Sequence, residues 1–423
     1  MHVFDVIALV IFVSGSFIFL NTIFLKLPSS LGLMILTLGL SFCLFLAVHL
    51  FPSLNIIGEI KSFDFTQVLN QFVISFILFA GGLSMDLKRL GKQRLPIIIL
   101  SITGAILSTL IIGTILYFIL NGIGIEINYM YSLIFGAVIS STDPISATNT
   151  TKRFDLPKIL LVKVEGESLF NGAFSVVLAF VLYHLEIVAE SEAITFLTIS
   201  KTLLLELIGG VSIGLALGFL GHFLLKYINN DDVHIEVLIT IALVLVGSFI
   251  SGYLSIYSKT VSLVMGLLIG NLGRERAGEA SVGYYVYKFW LLVEQTMAVM
   301  LFVLMGLEML AIEWKLENFM AGFIAINVVL LGRWLGVFIP VKIMSGRVEF
   351  DKNTIPVMTW SAFRGGLPIV LILALHNFPG KELLITMTYV VVVCTMLFQG
   401  VTLPMLMRER FAMRPPQEPE PSH

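Results

Sequence analysis

Residues 130–150 read MYSLIFGAVISSTDPISATNT, an apolar stretch that ends in a polar run from Ser140 to Pro144. The stretch is as long as a membrane crossing, which needs about 20 residues. Proline removes a backbone donor from a helix, and unpaired backbone at membrane depth is tolerated only where it lines a cavity or is buried in protein. The stretch therefore predicts a membrane-spanning helix that unwinds around Asp143.

The composition of the whole chain is that of a membrane protein. Of its 423 residues, 57% are hydrophobic and only 13% are charged, whereas soluble domains carry roughly 25% charged residues. We therefore predict an all-α polytopic membrane protein and exclude a soluble globular one. Thirteen apolar segments are separated by polar, glycine or proline breaks, and they lie at about 3–25, 31–51, 69–85, 95–120, 130–150, 158–185, 201–225, 234–256, 260–273, 287–312, 318–341, 353–375 and 382–406.

The charge balance and the cysteine count exclude other classes of protein. The net charge of −2 argues against a nucleic-acid partner, because proteins that bind nucleic acids need a basic face to neutralise phosphates. The lipid bilayer is the only partner that the composition demands. Cys43 and Cys394 are the only cysteines, so neither a disulfide framework nor a cysteine-based metal site is expected.

The basic residues predict how the chain is oriented in the membrane. Eighteen of the 26 lysines and arginines lie in the C-terminal tail or in connections after odd-numbered segments. Four lie in connections after even-numbered segments, and four lie within segments or at their ends. Lysine and arginine accumulate in cytoplasmic connections. We therefore expect an inner-membrane protein with its N-terminus outside and its C-terminus in the cytoplasm, ending in a short disordered tail at 410–423.

A second interruption, SAFRGGLP at residues 361–368, lies in segment 12. Segments 5 and 12 cross the membrane in opposite directions, because their serial numbers differ by an odd number. Two inverted repeats, segments 1–6 and 8–13 joined by segment 7, would produce this relation. Interrupted segments at corresponding positions mark the substrate site of a secondary transporter.

Several ionisable residues lie within the segments, where each costs at least roughly 2.5–3.5 kcal/mol. Asp143 either caps the N-terminus of a half-helix or faces a cation or proton. Segment 6 carries Glu165, Glu167, Ser168 and Asn171 within seven residues. A carboxylate, a hydroxyl and an amide oxygen at mid-membrane suit a dehydrated hard cation, which prefers oxygen ligands.

Two arginines within segments need partners. Arg333 in segment 11 cannot lose its proton, so a buried position demands a carboxylate, for which Glu167 is the predicted choice. Arg364 lies at the interruption of segment 12. There its charge is expected to offset the C-terminal ends of half-helices.

The remaining ionisable residues have structural interpretations. Lys163 lies about one turn inside the cytoplasmic edge and is expected to extend to the interface. Glu294 and Glu308 are interpreted as packing near the membrane edge. His184 and His222 lie near segment ends, and no histidine pair has metal-ligand spacing on one helix.

These motifs together resemble the sodium/proton antiporters of the monovalent cation:proton antiporter superfamily, in the NhaP-like exchanger branch. The similarity rests on Asp143 in the sequence SSTDP and on EGESLFN at residues 165–171. Further matches are LFAGGL at 78–83 ahead of a basic loop, LFVLMGLE at 301–308, Arg333, and Arg364 followed by two glycines. The matches cover nearly all of the membrane domain.

The resemblance implies an architecture and an activity. It implies a membrane domain at 1–409, with a mobile core at about 95–185 and 318–406 in which broken helices 5 and 12 cross. A dimerisation scaffold would occupy about 1–85 and 201–312, so a homodimer is expected. The implied activity is electroneutral exchange of one Na⁺, with K⁺ and Li⁺ as alternatives, for one proton by alternating access, with no cofactor beyond the transported ions.

The resemblance also implies roles for individual residues. Thr142, Asp143 and Ser168 would surround the ion, with Na⁺ held at Asp143 and Ser168. Asn171 would orient the site, and Glu167 would pair with Arg333.

Residue 172 departs from the family pattern. In the family, the asparagine at the position of Asn171 is followed by an aspartate that takes up the cation and the proton in turn, but this chain has Gly172. Exchange requires a buried carboxylate for which sodium and protons compete near the working pH. Three explanations stand: an inactivating change introduced or selected in this chain, a natural family member with altered chemistry, or takeover by Asp143 or Glu165.

The expected function is therefore secondary active transport and not enzymatic catalysis. One alternative is a non-transporting membrane protein that keeps the fold as a sensor or structural subunit, which Gly172 favours. Another is an intramembrane hydrolase, since Ser, Asp and His occur within segments. The sequence, however, contains no His-Glu-x-x-His motif, and its one Gly-x-Ser-x-Gly match, at residues 210–214, lies inside apolar segment 7 and not at a strand-to-helix turn.

Overall fold

A computed structural model of the chain describes residues 3–27, 29–50, 73–85, 87–143, 147, 151, 154, 156–189, 196–227, 233–254, 258–274, 282–309, 315–375 and 378–411. Every element in these ranges is helical. The α-helices are α1 (Val3–Leu20), α2 (Ser29–Leu50), α3 (Ile74–Ser84), α4 (Leu87–Leu90), α5 (Arg94–Gly122), α6 (Tyr129–Ser140), α7 (Lys158–Ala189), α8 (Phe196–Tyr227), α9 (Val233–Tyr253), α10 (Ser258–Arg274), α11 (Val282–Met309), α12 (Leu316–Met344), α13 (Thr354–Trp360), α14 (Leu367–Ala374) and α15 (Lys381–Arg410).

The prediction of an all-α polytopic membrane protein is confirmed. Each of the thirteen predicted segments contains a helix, and segment 12 contains two, α13 and α14, on either side of its interruption. Among the described residues, eight helices are long and apolar enough to cross a membrane, and shorter apolar stretches are Leu31–Ala47 within α2 and the helices α3, α6 and α10. Helices dominate because they satisfy their own backbone hydrogen bonds where no water is available. The tail from residue 412 onward lies outside the described residues.

The helices that matter for the site form two groups. The crossing group consists of α5, α6, α7 and α12–α15: α5 packs against α6, α7 and α12, and α15 packs against α12 and α14. The wall group consists of α3 and α8–α11: α10 packs against α3, α8 and α9, and α11 packs against α3. The crossing group covers the regions predicted for the mobile core, and the wall group lies within those predicted for the scaffold. The mobility and the dimer contact themselves stay predictions.

Candidate functional site

The two interrupted segments meet inside the crossing group. Helix α6 ends at Ser140 and leaves residues 141–143 non-helical, and residues 362–365 are non-helical between α13 and α14. The Asp143 amide donates to the Phe363 carbonyl at 3.0 Å, and the Asp143 carbonyl accepts from the Ala147 amide at 3.2 Å. A backbone hydrogen bond therefore joins the two interruptions, as crossed broken helices require.

Arg364 stabilises the carbonyl groups that the interruption of α6 exposes. Its Nη1 donates to the Ser140 carbonyl at 3.1 Å and to the Ser141 carbonyl at 3.2 Å. The side chain belongs to a residue only 2% exposed, so no bulk water competes for these carbonyls. A cation at the C-terminal end of a half-helix also offsets the partial negative charge there. The half-helix that Arg364 contacts, α6, belongs to the other interrupted segment, segment 5.

Helix α7 holds the same interruption through polar side chains. The Asn171 Nδ2 donates to the Ser140 carbonyl at 2.9 Å and to the Thr142 Oγ1 at 3.1 Å. The Thr142 Oγ1 in turn donates to the Ser168 carbonyl at 3.2 Å. Thr142, Ser168 and Asn171 are all buried. The chain of hydrogen bonds fixes Thr142, and with it the neighbouring Asp143, against α7.

Arg333 and Glu167 form a buried, two-pronged ion pair. The Arg333 Nη1 lies 2.7 Å from Glu167 Oε1, and its Nη2 lies 2.8 Å from Glu167 Oε2. The Nη2 also donates to the Met358 carbonyl at 2.9 Å. The two residues are 3% and 2% exposed, and the planar fork of the guanidinium matches both carboxylate oxygens. The pair links α7, α12 and α13, and Glu167 does not line the cavity described next.

A cavity of about 60 Å³ separates the crossing group from the wall group. This volume accommodates several water molecules. On the crossing side it is lined by Thr142, Asp143, Leu169, Gly172, Gly366 and Leu367. On the wall side it is lined by Ile74, Ile77, Leu78 and Gly81 of α3 and by Glu294, Ala298, Leu301 and Phe302 of α11. Asp143 and Gly172 thus share one cavity wall, whereas Ser168 and Glu165 are not among its described lining residues.

Two glycines allow the backbone to approach closely around Asp143. A Cβ atom on Gly365 would lie 2.8 Å from Asp143 Oδ2, which is too close for any larger residue without a shift. A Cβ atom on Gly172 would lie 3.1 Å from the Thr142 carbonyl oxygen. A side chain at residue 172 would therefore point at the interruption that carries Thr142 and Asp143.

One interpretation of the sequence is wrong. Glu294 does not lie at a membrane edge: it is 8% exposed and lines the cavity on the wall side. Lys163 is 1% exposed and donates to the Glu349 carbonyl at 2.8 Å, in the connection between α12 and α13, with its Nζ 4.1 Å from the centre of the Phe350 ring. Its extension to the interface stays a prediction. Hydropathy gave no signal for Glu294, since it does not report which way a helix is rotated. The side chain of Glu308 lies outside the described residues.

Known proteins match the chain over most of its length. The family model described as the transmembrane sodium/hydrogen exchanger matches residues 8–409. The Na(+)/H(+) antiporter NhaP of Pseudomonas aeruginosa is 32% identical over 426 residues, which are 99% of this chain and 100% of that protein. The Na(+)/H(+) antiporter NhaG of Bacillus atrophaeus is 27% identical over 374 residues, which are 87% of this chain and 68% of that protein.

A solved structure has the same fold. The sodium proton antiporter MjNhaP1 from Methanocaldococcus jannaschii at pH 8 superposes with a TM-score of 0.76 at 18% identity, covering 96% of this chain and 98% of that one. The family model and the Pseudomonas relative carry the assignment, and the superposition supports the fold. The chain is a multi-pass membrane protein that belongs to the sodium/hydrogen exchanger family.

Proposed function

We propose that the chain exchanges Na⁺ for protons across the membrane by alternating access, with no net charge moved, and that the cation binds at Asp143. The observation that carries this proposal is the position of Asp143, at the junction of two interrupted helices and on the wall of a cavity between two helix groups. K⁺ and Li⁺ are alternative substrates of the same oxygen-rich site.

The surroundings of Asp143 support a cation site. Non-helical backbone supplies carbonyl oxygens, and Thr142 adds a hydroxyl on the same cavity wall. Arg364 and Asn171 hold the Ser140 carbonyl, so the geometry is fixed before any ion arrives. We place Ser168 beside the ion through the Thr142 hydroxyl that it holds, and we assign Asn171 to orientation of the site.

Gly172 supports a second candidate function, a non-transporting protein that keeps the antiporter fold. The backbone of Gly172 faces Thr142 on the cavity wall but offers no carboxylate. We propose that this absence slows exchange severely while the fold and the Asp143 site remain. Takeover by Glu165 is the weaker explanation, since Glu165 is not among the described residues that line the cavity.

Restoring the carboxylate tests both candidates. Proteoliposomes with an imposed Na⁺ gradient and an internal pH dye are expected to show proton movement at least about tenfold faster for Gly172→Asp than for the unsubstituted chain. The isosteric Gly172→Asn is the matched control and should stay slow. The proton movement should not respond to a clamped membrane voltage. Strong exchange by the unsubstituted chain would contradict the proposal that Gly172 inactivates it. If every folded version fails to move protons, the non-transporting protein is favoured.

A binding measurement tests Asp143 separately from transport. A ligand that binds only the folded state stabilises it by mass action, so Na⁺ should raise the melting temperature of the detergent-solubilised protein. Asp143→Asn is expected to abolish this shift without unfolding the protein. An unchanged Na⁺ shift in Asp143→Asn would place the cation elsewhere.

We further propose that the chain forms a homodimer in the inner membrane, with its N-terminus outside and its C-terminus in the cytoplasm. The asymmetry of lysine and arginine supports the orientation. Cross-linking in native membranes and labelling of cysteines placed in the connections test these two points.

A further inference from the structure

Helices α3 and α10 of the wall group lie in backbone contact. A Cβ atom built on Gly266 would overlap the Phe79 carbonyl group, and one built on Gly270 would overlap the Leu83 carbonyl group. The two glycines therefore let α10 touch the last two turns of α3. Small residues that bring two backbones this close give a contact that resists sliding. The C-terminal end of α3 is thus fixed to α10.

Asn271, one residue further along α10, continues this attachment past the end of α3. Its Nδ2 donates to the Met85 carbonyl at 3.0 Å and to the Leu267 carbonyl of its own helix at 2.7 Å. Its Oδ1 accepts from the Leu87 amide at 2.7 Å. Met85 is the extended residue at which α3 ends, and Leu87 begins α4. One side chain therefore binds the main chain on both sides of the break between these two helices.

Beyond Leu87 the chain passes from the wall group to the crossing group. Helix α4 contacts both α10 and α7, and the 3₁₀ turn that follows it (Gly91–Gln93) contacts α7 and leads into α5. Gly91 has a φ of +42°, in the left-handed region that favours glycine, and nothing lies within 4 Å of the position of a Cβ atom there. Short 3₁₀ turns also have poorer hydrogen-bond geometry than α-helices. Residues 91–93 therefore have the backbone freedom that a hinge needs.

We propose that Asn271 is a positioning residue for exchange, which holds the start of the α3–α5 connection on the wall group so that movement of the crossing group bends the chain at residues 91–93. This inference rests on the proposed alternating access and adds a hinge to it. Asn271 is not among the described residues that line the cavity, so it acts on the movement and not on the bound cation. Without its hydrogen bonds, the bend is no longer confined to these three residues.

The rate of exchange and the affinity for Na⁺ separate this role from a purely structural one. In Gly172→Asp proteoliposomes, Asn271→Leu removes the three hydrogen bonds with little change in volume. It should lower kcat per folded protein by about tenfold or more, with the KM for Na⁺ changed by less than about twofold. A purely structural role would reduce the amount of folded protein and leave its kcat unchanged.

Two further variants complete the kinetic test. Asn271→Asp keeps the acceptor for the Leu87 amide and should retain much of the kcat. Asn327→Leu makes the same change as Asn271→Leu on α12, where the Asn327 Nδ2 donates to the Phe323 carbonyl of its own helix, and should leave the kcat unchanged. An unchanged kcat in Asn271→Leu, or a loss equal to that of Asn327→Leu, would overturn the inference while leaving antiport intact.

A distance measurement tests the hinge without transport. Spin labels on Gly273→Cys, near the end of α10, and on Lys158→Cys, at the start of α7, report the separation of the two helix groups in a chain whose native cysteines are replaced by serine. Both labelled residues are exposed. If no folded version transports, the proposed function fails, but the hinge still predicts a wider distribution of distances in Asn271→Leu than in Asn327→Leu. Equal distributions in the two variants would overturn it.

Discussion

The crossing group and the wall group line the same cavity, but their side chains make different kinds of interaction there. At the crossing, Asn171 and Arg364 donate to the Ser140 carbonyl at the end of α6. Thr142, within the interruption, donates to the Ser168 carbonyl of α7. The wall presents aliphatic and aromatic side chains, with Glu294 as its described carboxylate. Interrupted backbone at membrane depth must find partners inside the protein, whereas aliphatic and aromatic side chains carry no hydrogen-bonding group that needs a new partner when their contacts change.

The comparison indicates where rigidity and movement are located. The crossing is fixed by directional bonds and by the Glu167–Arg333 ion pair, so it can act as a unit. The wall is held against it by dispersion and burial, which are not directional. Substitutions at the crossing should therefore cost far more stability than comparable substitutions on the wall.

The largest effect is expected from breaking the buried ion pair. Arg333→Ala leaves the Glu167 carboxylate without its two-pronged partner and should lower the free energy of unfolding by about 3–5 kcal/mol. Adding Glu167→Gln removes the stranded charge and should recover much of that loss. Thermal unfolding in detergent measures both proteins, and simple addition of the two effects would contradict the pairing.

Removal of the Arg364 charge at the C-terminal end of α6 should lower the free energy of unfolding by less than loss of the ion pair does. Arg364→Gln replaces charge-assisted hydrogen bonds to Ser140 and Ser141 and should destabilise by about 1.5–3 kcal/mol. The Asn171 bond to Ser140 remains, which limits the loss. Arg408→Gln, at the exposed end of α15, is the matched control and should change stability little. Equal melting temperatures for the two variants would show that Arg364 does not hold the crossing.

A methyl group added at Gly365, where the backbone lies against Asp143, should lower the free energy of unfolding moderately. Gly365→Ala places its Cβ against the Asp143 carboxylate, and such overpacking costs about 1–3 kcal/mol. It should also weaken the Na⁺-dependent rise in melting temperature, because Asp143 must shift. Gly39→Ala adds the same methyl group in α2, where nothing lies within 4 Å, and should be neutral or stabilising. If both substitutions behave alike, the contact at Gly365 does not constrain Asp143.

The smallest change in the free energy of unfolding is expected for substitutions in the wall group. Leu301→Met conserves volume on the cavity surface of α11 and should change the free energy of unfolding by less than about 1.5 kcal/mol. Leu169→Met makes the same change across the cavity on α7 and is its matched counterpart. Neither should alter the Na⁺ response. A loss as large as that of Arg333→Ala would remove the contrast between the two regions.

The sequence by itself determined where the membrane segments lie, where two of them are interrupted and which residues lie at the interruptions. Crossing a bilayer is decided by local hydropathy, so thirteen segments could be read without knowledge of their packing. The proline and glycine interruptions around Asp143 and Arg364 are local as well. The pairing of Arg333 with Glu167 followed from the cost of a buried charge, which leaves few possible partners.

Only the tertiary structure decided how these pieces meet. The bond between Asp143 and Phe363, and the approach of Gly365 to Asp143, join residues more than 200 positions apart, for which one sequence holds no distance information. The place of Glu294 in the cavity and the burial of Lys163 beneath Phe350 depend on how each helix is rotated. In a bilayer nearly every face of a helix is apolar, so periodicity does not mark the inner face, and packing between helices sets the rotation.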